Sequence, residues 1–116
     1  MKRLRLVTLI AAVVGSTAAG AAGAAGVEAD ALARGQALYE RHCGVCHREG
    51  QTGTVVLGRR LGADRALLAA RTDLTVPYVR QVVRAGLINM PRLTRVELPD
   101  ADLDALAAWL ARPRGR

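Results

Sequence analysis

The chain has 116 residues and a formal net charge of +7 at pH 7, from 17 basic and 10 acidic side chains. Such a charge suggests nucleic-acid binding, but the arginines are spread along the chain with no long run, and only 3% of the residues are aromatic. The composition therefore argues against a nucleic-acid partner and favours a solvated basic surface that docks on an acidic partner. The length allows one small domain.

Residues 1–29 have the pattern of an export signal. A basic start precedes an apolar run and a stretch rich in Ala and Gly, and Val27-Glu28-Ala29 fits the small-x-small rule for cleavage before Asp30. The alternative is an uncleaved membrane anchor, because no charge interrupts residues 6–27, a length that spans a bilayer. Ala and Gly give its second half little transfer energy, which favours cleavage. Both interpretations place the predicted functional domain, residues 30–116, outside the cytoplasm, and we predict a periplasmic location.

The spacing of apolar residues predicts a helix over residues 30–42, with a stripe at intervals of three and four residues. The stripe comprises Leu32, Gly35, Leu38 and Tyr39. A glycine inside a helix costs about 1 kcal/mol relative to alanine. Gly35 on the buried face is explained if another helix backbone crosses there closely. The alternative is a weak helix with an incidental glycine.

The pentapeptide Cys43-Gly44-Val45-Cys46-His47 follows, and it has the form Cys-x-x-Cys-His of a haem attachment signature. The two thiols add to the vinyl groups of a haem and form thioethers that do not dissociate. The imidazole of His47 is then positioned to bind the iron from one face. The scarcity of aromatic residues agrees with this interpretation, because a buried porphyrin supplies core volume to a chain that has no Phe.

Three other interpretations of the pentapeptide are weaker. A thioredoxin-like dithiol requires a βαβ chain, and no alternating β-rich run precedes Cys43. A structural zinc site requires four ligands that surround one ion, whereas the four candidates from His42 to His47 lie within six residues. A plain disulfide between Cys43 and Cys46 leaves His47 unexplained.

The middle of the chain predicts a loop and two helices. Residues 48–62 contain four glycines and no helical period, which predicts a loop on one side of the haem. Residues 63–70 are rich in helix formers and predict a short helix. Thr75 is expected to cap the next helix, with Pro77 in its first turn and Gly86 at its end.

The last part of the chain predicts a loop and a final helix. Residues 87–98 form the loop, which contains Met90-Pro91. The final helix is expected to begin near Pro99 and to end at Pro113. Its apolar stripe comprises Leu103, Leu106, Ala107 and Leu110, with Trp109 beside it. This stripe makes it the natural partner for the buried face of the first helix.

These features together resemble the class I cytochromes c, which are small extracytoplasmic electron carriers. The resemblance rests on Gly35, Tyr39 and Cys43 at four-residue steps, Cys46-His47, the late Met90-Pro91, and Trp109 before the terminus. It implies an all-α, cytochrome c-like fold of about four short helices wrapped around one covalently bound haem c per chain. Cys43 and Cys46 would hold the haem vinyl groups, and His47 and Met90 would be the proximal and distal iron ligands.

Two alternatives concern the distal ligand. Met90 as a core filler is one of them, because methionine packs irregular gaps well. His42 is the other possible ligand, but it is adjacent to Cys43 and therefore tied to the attached side of the haem. A soft thioether favours ferrous iron and raises the reduction potential, which agrees with Met90 as the ligand.

The chain departs from the family pattern after the proximal histidine. The family usually has a Gly-Pro pair there, whose proline carbonyl accepts the imidazole proton, whereas Gly58 is followed by Arg59. Any backbone carbonyl can accept this bond, and the sequence does not identify which one does. The aromatic donors to the haem propionates are also absent, which leaves Arg59, Arg60 or Arg71 as candidates.

We predict single-electron transfer without enzymatic catalysis, because two protein ligands leave no open iron site for a substrate. A diffusible periplasmic carrier is favoured over a haem c subunit that accepts electrons on a periplasmic flavoprotein or quinoprotein dehydrogenase. A ligand-binding or peroxidatic haem protein requires that Met90 does not coordinate. The expected partner is a redox protein with an acidic docking patch, either a dehydrogenase donor or a terminal oxidase or reductase acceptor. The chain is expected to be a monomer or a subunit of a hetero-oligomer, and a membrane is involved only if the signal is uncleaved.

Overall fold

The computed structural model describes residues 19–114, with side chains described from residue 23 onward. The α-helices are α1 (Ala19–His42), α2 (Gly44–His47), α3 (Thr52–Leu61), α4 (Val76–Ala85) and α5 (Asp100–Ala111). Two short 3-10 turns, Ala63–Arg65 and Leu68–Ala70, lie between α3 and α4. No strand occurs in this part of the chain, and the predicted all-α, cytochrome c-like fold is confirmed. Between residues 19 and 114, no helix combines the length and the apolar character needed to cross a bilayer.

α1 contains the predicted helix over residues 30–42 and begins earlier, at Ala19. Alanine dominates the added turns, and it is the strongest helix former among the amino acids. Residues 1–18 of the predicted export signal lie outside the described residues. Cleavage before Asp30 therefore stays a prediction.

The crossing of α1 and α5 forms the centre of the core. A Cβ added to the buried Gly35 would lie 2.7 Å from the Cβ of Trp109, and closer still to the backbone oxygen of Ala105. The rings of Tyr39 and Trp109 pack beside this point, with centroids 4.9 Å apart and planes tilted by 38°. The apolar stripe predicted for α5 is buried throughout. The predicted crossing is confirmed, and the incidental-glycine alternative is wrong.

The loop predicted for residues 48–62 is wrong, because most of this segment forms α3. A Cβ added to Gly53 would lie 2.7 Å from the oxygen of Cys46 and 2.9 Å from Cε1 of His47, so glycine permits close packing of α3 on α2. Gly62, with a φ of 94°, ends α3. The packing of α3 on α2 offsets the free-energy cost of a glycine inside the helix, and the local sequence pattern does not reveal this packing.

The segment between α3 and α4 is less regular than predicted. Residues 63–70 form the two 3-10 turns instead of one short α-helix. Leu67 separates them, because its backbone is extended, with φ of −86° and ψ of 106°. An extended residue breaks the sequence of helical hydrogen bonds at that point.

α4 and the segment after it have the predicted boundaries. The N–H of Tyr78 donates to Oγ1 of Thr75 at 3.4 Å, Pro77 lies in the first turn, and Gly86 ends the helix with a φ of 76°. Residues 87–98 form neither helix nor strand, as predicted. They carry Met90 from the end of α4 to the start of α5.

Candidate haem site

A cavity of about 290 Å³ lies between α2, α3, α4, the loop of residues 87–98 and α5. Leucine and valine side chains make most of its wall, including Leu57, Leu68, Val79, Val83 and Leu106. An apolar wall of this kind favours a flat apolar ligand and keeps water away from it.

Three of the four predicted site residues line this cavity, namely Cys43, His47 and Met90. Cys43 is 9% exposed and Met90 is partly buried. Cys46 lies on the same helix as His47 but is exposed and does not contribute to the wall. The structure thus brings the thioether of Met90 to the same cavity as the thiol and the imidazole of the pentapeptide, which is more than 40 residues away in the sequence.

The hydrogen bonds of α2 hold the pentapeptide in a compact turn. The N–H groups of Cys46 and His47 both donate to the oxygen of Cys43, at 3.0 and 2.9 Å. The N–H of Cys43 donates to the oxygen of Tyr39 at 2.8 Å, which continues α1 into α2. The hydroxyl of Tyr39 donates in turn to the oxygen of His47 at 2.9 Å. Tyr39 therefore connects the packed face of α1 to the imidazole-bearing residue.

The imidazole of His47 is prepared for metal binding. Burial lowers its pKa, so the neutral form that binds metals is favoured. Its Nδ1 is buried, and no carbonyl among the described residues accepts a hydrogen bond from it. The predicted carbonyl partner is therefore not found between residues 19 and 114. The ring lies instead against the backbone of Gly53.

The thiols do not have the character of a reactive dithiol. Burial, and secondarily the charge of Cys46, raise the pKa of Cys43 to about 11, whereas catalytic cysteines have a lowered pKa. Both cysteines are free of disulfides. Among residues 19–114, no group of three or more His, Cys, Asp or Glu side chains is arranged to hold a metal ion. These facts favour haem attachment over a thioredoxin-like or zinc site.

Two of the three arginines proposed for the propionates reach the cavity. Arg60 and Arg71 line it, and Arg59 does not. Arg71 is 9% exposed and donates from Nε and Nη2 to the two oxygens of Asp73, both at 2.8 Å. Arg65 binds the same carboxylate. Guanidinium groups at the wall suit the carboxylates of a haem, because they bind such groups in two-point geometry.

Residues 86–90 form a tight turn that carries Met90. The N–H of Leu87 donates to the oxygen of Met90 at 3.1 Å, and the N–H of Met90 donates to the oxygen of Leu87 at 2.9 Å. A Cβ on Gly86 would lie 2.8 Å from the oxygen of Met90. Glycine at the end of α4 therefore permits the chain to turn back and place Met90 at the cavity.

Residues 30–110 match the family model described as "Cytochrome C oxidase, cbb3-type, subunit III". The chain belongs to this family of class I c-type cytochromes. As a cytochrome c it binds haem c covalently through thioethers, and it takes part in haem-based electron transfer with redox protein partners. No curated protein and no solved structure gave a match.

The cavity of this cytochrome fits a haem c. Its wall is apolar, its buried imidazole has an unpartnered nitrogen, and the Arg60 guanidinium at its wall forms no ion pair among the described residues. The pentapeptide and Met90 were identifiable from the sequence. The sequence did not predict the hydrogen bond from Tyr39 to the oxygen of His47 or the packing of Gly53 on His47, because neither contact produces a pattern in residue spacing.

Proposed function

We propose that this cytochrome c is a diffusible periplasmic carrier of single electrons, with Cys43 and Cys46 bound to the haem and His47 and Met90 bound to its iron. The observation that carries the proposal is the convergence of Cys43, His47 and Met90 on one apolar cavity. Haem iron with a histidine and a methionine ligand exchanges one electron without making or breaking bonds to a substrate.

The residues of the chain have distinct tasks in this proposal. The apolar wall excludes water and limits the reorganisation that accompanies a change of charge. Tyr39 fixes the backbone of His47, and the Gly86 turn fixes that of Met90. Arg60 would bind a propionate, whereas Arg71 already binds both oxygens of Asp73.

The surface charge supports docking on an acidic partner. Five of the ten described acidic residues already pair with arginine, as in Glu40 with Arg48 and Asp104 with Arg80. Among residues 19–114, Arg59 is exposed and has no ion pair with an acidic side chain, and it neighbours Arg60 of the cavity wall. Positive charge is thus left near the haem, where it attracts a carboxylate-rich surface and speeds the encounter.

A second role is that of a fixed subunit in a larger redox enzyme, and the family match does not distinguish it from the carrier. Because the family is described as an oxidase subunit, its domains also occur as fixed parts of larger enzymes. This cytochrome would then be a haem c subunit held on a periplasmic flavoprotein or quinoprotein dehydrogenase, as its electron acceptor. Such a subunit buries a larger apolar interface than a carrier does.

Ionic strength distinguishes these two roles. A carrier that docks through charge should be purified from its native source as a lone small haem protein at low and at high salt. Its electron-transfer rate should fall steeply as salt rises. Stable co-purification with a dehydrogenase at high salt would instead establish the subunit and contradict the carrier.

A further inference from the structure

Arg84 connects three parts of the fold through one guanidinium group. It lies in the last turn of α4, and its side chain is 20% exposed. Nη1 donates to the backbone oxygens of Leu93 and Thr94, at 3.0 and 3.2 Å. Nη2 donates to the backbone oxygen of Leu98 and to Oδ1 of Asp100, both at 2.8 Å.

The acceptors show what this side chain holds. Three of the four belong to residues 87–98, the loop that carries Met90, and the fourth is in the first turn of α5. The planar fork of an arginine can satisfy several acceptors at fixed angles, which a lysine cannot do. Backbone contacts add to the attachment, because the N–H of Leu93 donates to the oxygen of Val83 at 2.9 Å.

The loop requires such an attachment close to Met90. Ile88 has a φ of 55°, a left-handed conformation that is unfavourable for a β-branched residue. It lines the cavity and lies outside the buried core of the described residues, with 70% of its surface exposed. A strained residue persists only where the surrounding structure fixes it. In this loop the fixed surroundings are the turn of Leu87 and Met90 on one side and the Arg84 contacts on the other.

We propose that Arg84 is the positioning residue for the distal iron ligand. By holding the carbonyls of Leu93, Thr94 and Leu98, it keeps the loop closed over the cavity and limits the time for which Met90 leaves the iron. The inference rests on the proposed ligation of the iron by His47 and Met90. It assigns to Arg84 a role that pattern and spacing in the sequence do not indicate.

The test uses the haem-loaded protein with Arg84→Gln and Arg84→Lys. Arg80→Gln is one control, because Arg80 is on the same helix and, among the described residues, pairs only with Asp104, at 3.2 Å. Arg95→Gln is the other, because Arg95 shares Asp100 with Arg84 but, in the part of the chain that the structure describes, donates to no carbonyl of residues 87–98. Three readouts follow the distal ligand: the weak red charge-transfer band of ferric iron bound to methionine, the reduction potential, and the affinity for imidazole.

Arg84→Gln is expected to lose most of the red band, to lower the potential and to bind imidazole at least about tenfold more tightly, because an open distal position is populated more often. Arg84→Lys should restore part of the band, since an ammonium group reaches only some of the acceptors. Both controls should keep the wild-type band and affinity.

The outcomes separate this inference from the proposed ligation. A wild-type protein without the red band would contradict Met90 as the ligand. If the wild type has the band and Arg84→Gln keeps both the band and the wild-type affinity for imidazole, the proposed role of Arg84 is overturned. This holds even if that variant unfolds at a lower urea concentration. If Arg84→Gln does not retain haem, Arg84→Lys decides: an unchanged band and affinity overturn the inference, and a partial loss supports it.

Discussion

Gly35 of α1 lies directly against the backbone oxygen of Ala105 in α5, at a separation that leaves no room for a side chain. The contact is between two backbones, so neither helix can yield by a change of rotamer. The Tyr39 and Trp109 rings pack one turn away. Because Tyr39 also binds the oxygen of His47, the helix crossing and the haem site share one support.

A larger residue at this crossing should separate the two helices. Gly35→Val is expected to lower the free energy of unfolding by about 1–3 kcal/mol, because overpacking forces a backbone shift. Gln36→Ala is the matched control, since Gln36 is exposed on the same helix and should be nearly neutral. Urea unfolding of the haem-loaded variants measures both. Equal midpoints for Gly35→Val and the wild type would contradict the crossing.

Removal of the distal thioether should open one face of the iron. Met90→Ala is expected to lose the red charge-transfer band, to lower the reduction potential and to admit cyanide or carbon monoxide readily. Leu87→Ala is the control, because Leu87 lines the same cavity in the same loop but cannot coordinate iron. An unchanged band in Met90→Ala would mean that another residue is the sixth ligand.

Local sequence patterns correctly predicted the helices whose ends and buried faces depend on residues within one or two turns. The caps of α4 at Thr75 and Gly86 were predicted, because a capping hydroxyl and a terminal glycine act within one turn. The buried stripe of α5 was predicted from its spacing alone. The pentapeptide was recognisable because attachment chemistry requires its residues to be adjacent. That His47 and Met90 would lie at one cavity was implied only by the resemblance, because spacing does not show that distant residues meet.

The failures have tertiary causes. α3 was predicted as a loop because glycines usually interrupt helices and mark turns. Gly53 instead lies inside a helix, where it allows α3 to pack closely against the His47 ring. Arg84 carried no signal, because three of its four partners are backbone oxygens 9 to 14 residues further along, which any sequence supplies. Cys43 and Cys46 were predicted together as one motif, and only the structure shows that Cys46 is exposed and that Cys43 is buried.

Attachment of the haem through both cysteines can be tested directly. The wild-type protein, matured with its signal in a host that attaches haem, should stain for haem after denaturing electrophoresis, because thioethers survive unfolding. Cys46→Ala should weaken or abolish the stain, since at most one thioether can form. Val45→Ala is the control, because Val45 is 70% exposed and lies between the two cysteines. A stain in Cys46→Ala as strong as in the wild type would show that Cys46 is not attached.

The Arg71, Arg65 and Asp73 cluster predicts a dependence of stability on pH. The hydrogen bond from Arg71, with a smaller contribution from Arg65, holds the pKa of Asp73 well below its usual range. Since the folded-state pKa is the lower one, the carboxylate stabilises the fold above the unfolded pKa of about 3.9. This stabilisation is lost as the pH falls through the folded-state value. Asp73 is 44% exposed, so solvent screening keeps the effect modest.

Asp73→Asn should therefore lower the free energy of unfolding at neutral pH, and the difference from the wild type should shrink progressively below about pH 4. Asp64→Asn is the matched control. Asp64 is exposed in the neighbouring 3-10 turn and, among the described residues, forms no ion pair. Urea unfolding of the haem-loaded proteins across this pH range provides the comparison. If Asp73→Asn has the same effect at every pH, the carboxylate charge is not its cause, and loss of packing around Arg71 is the explanation that remains.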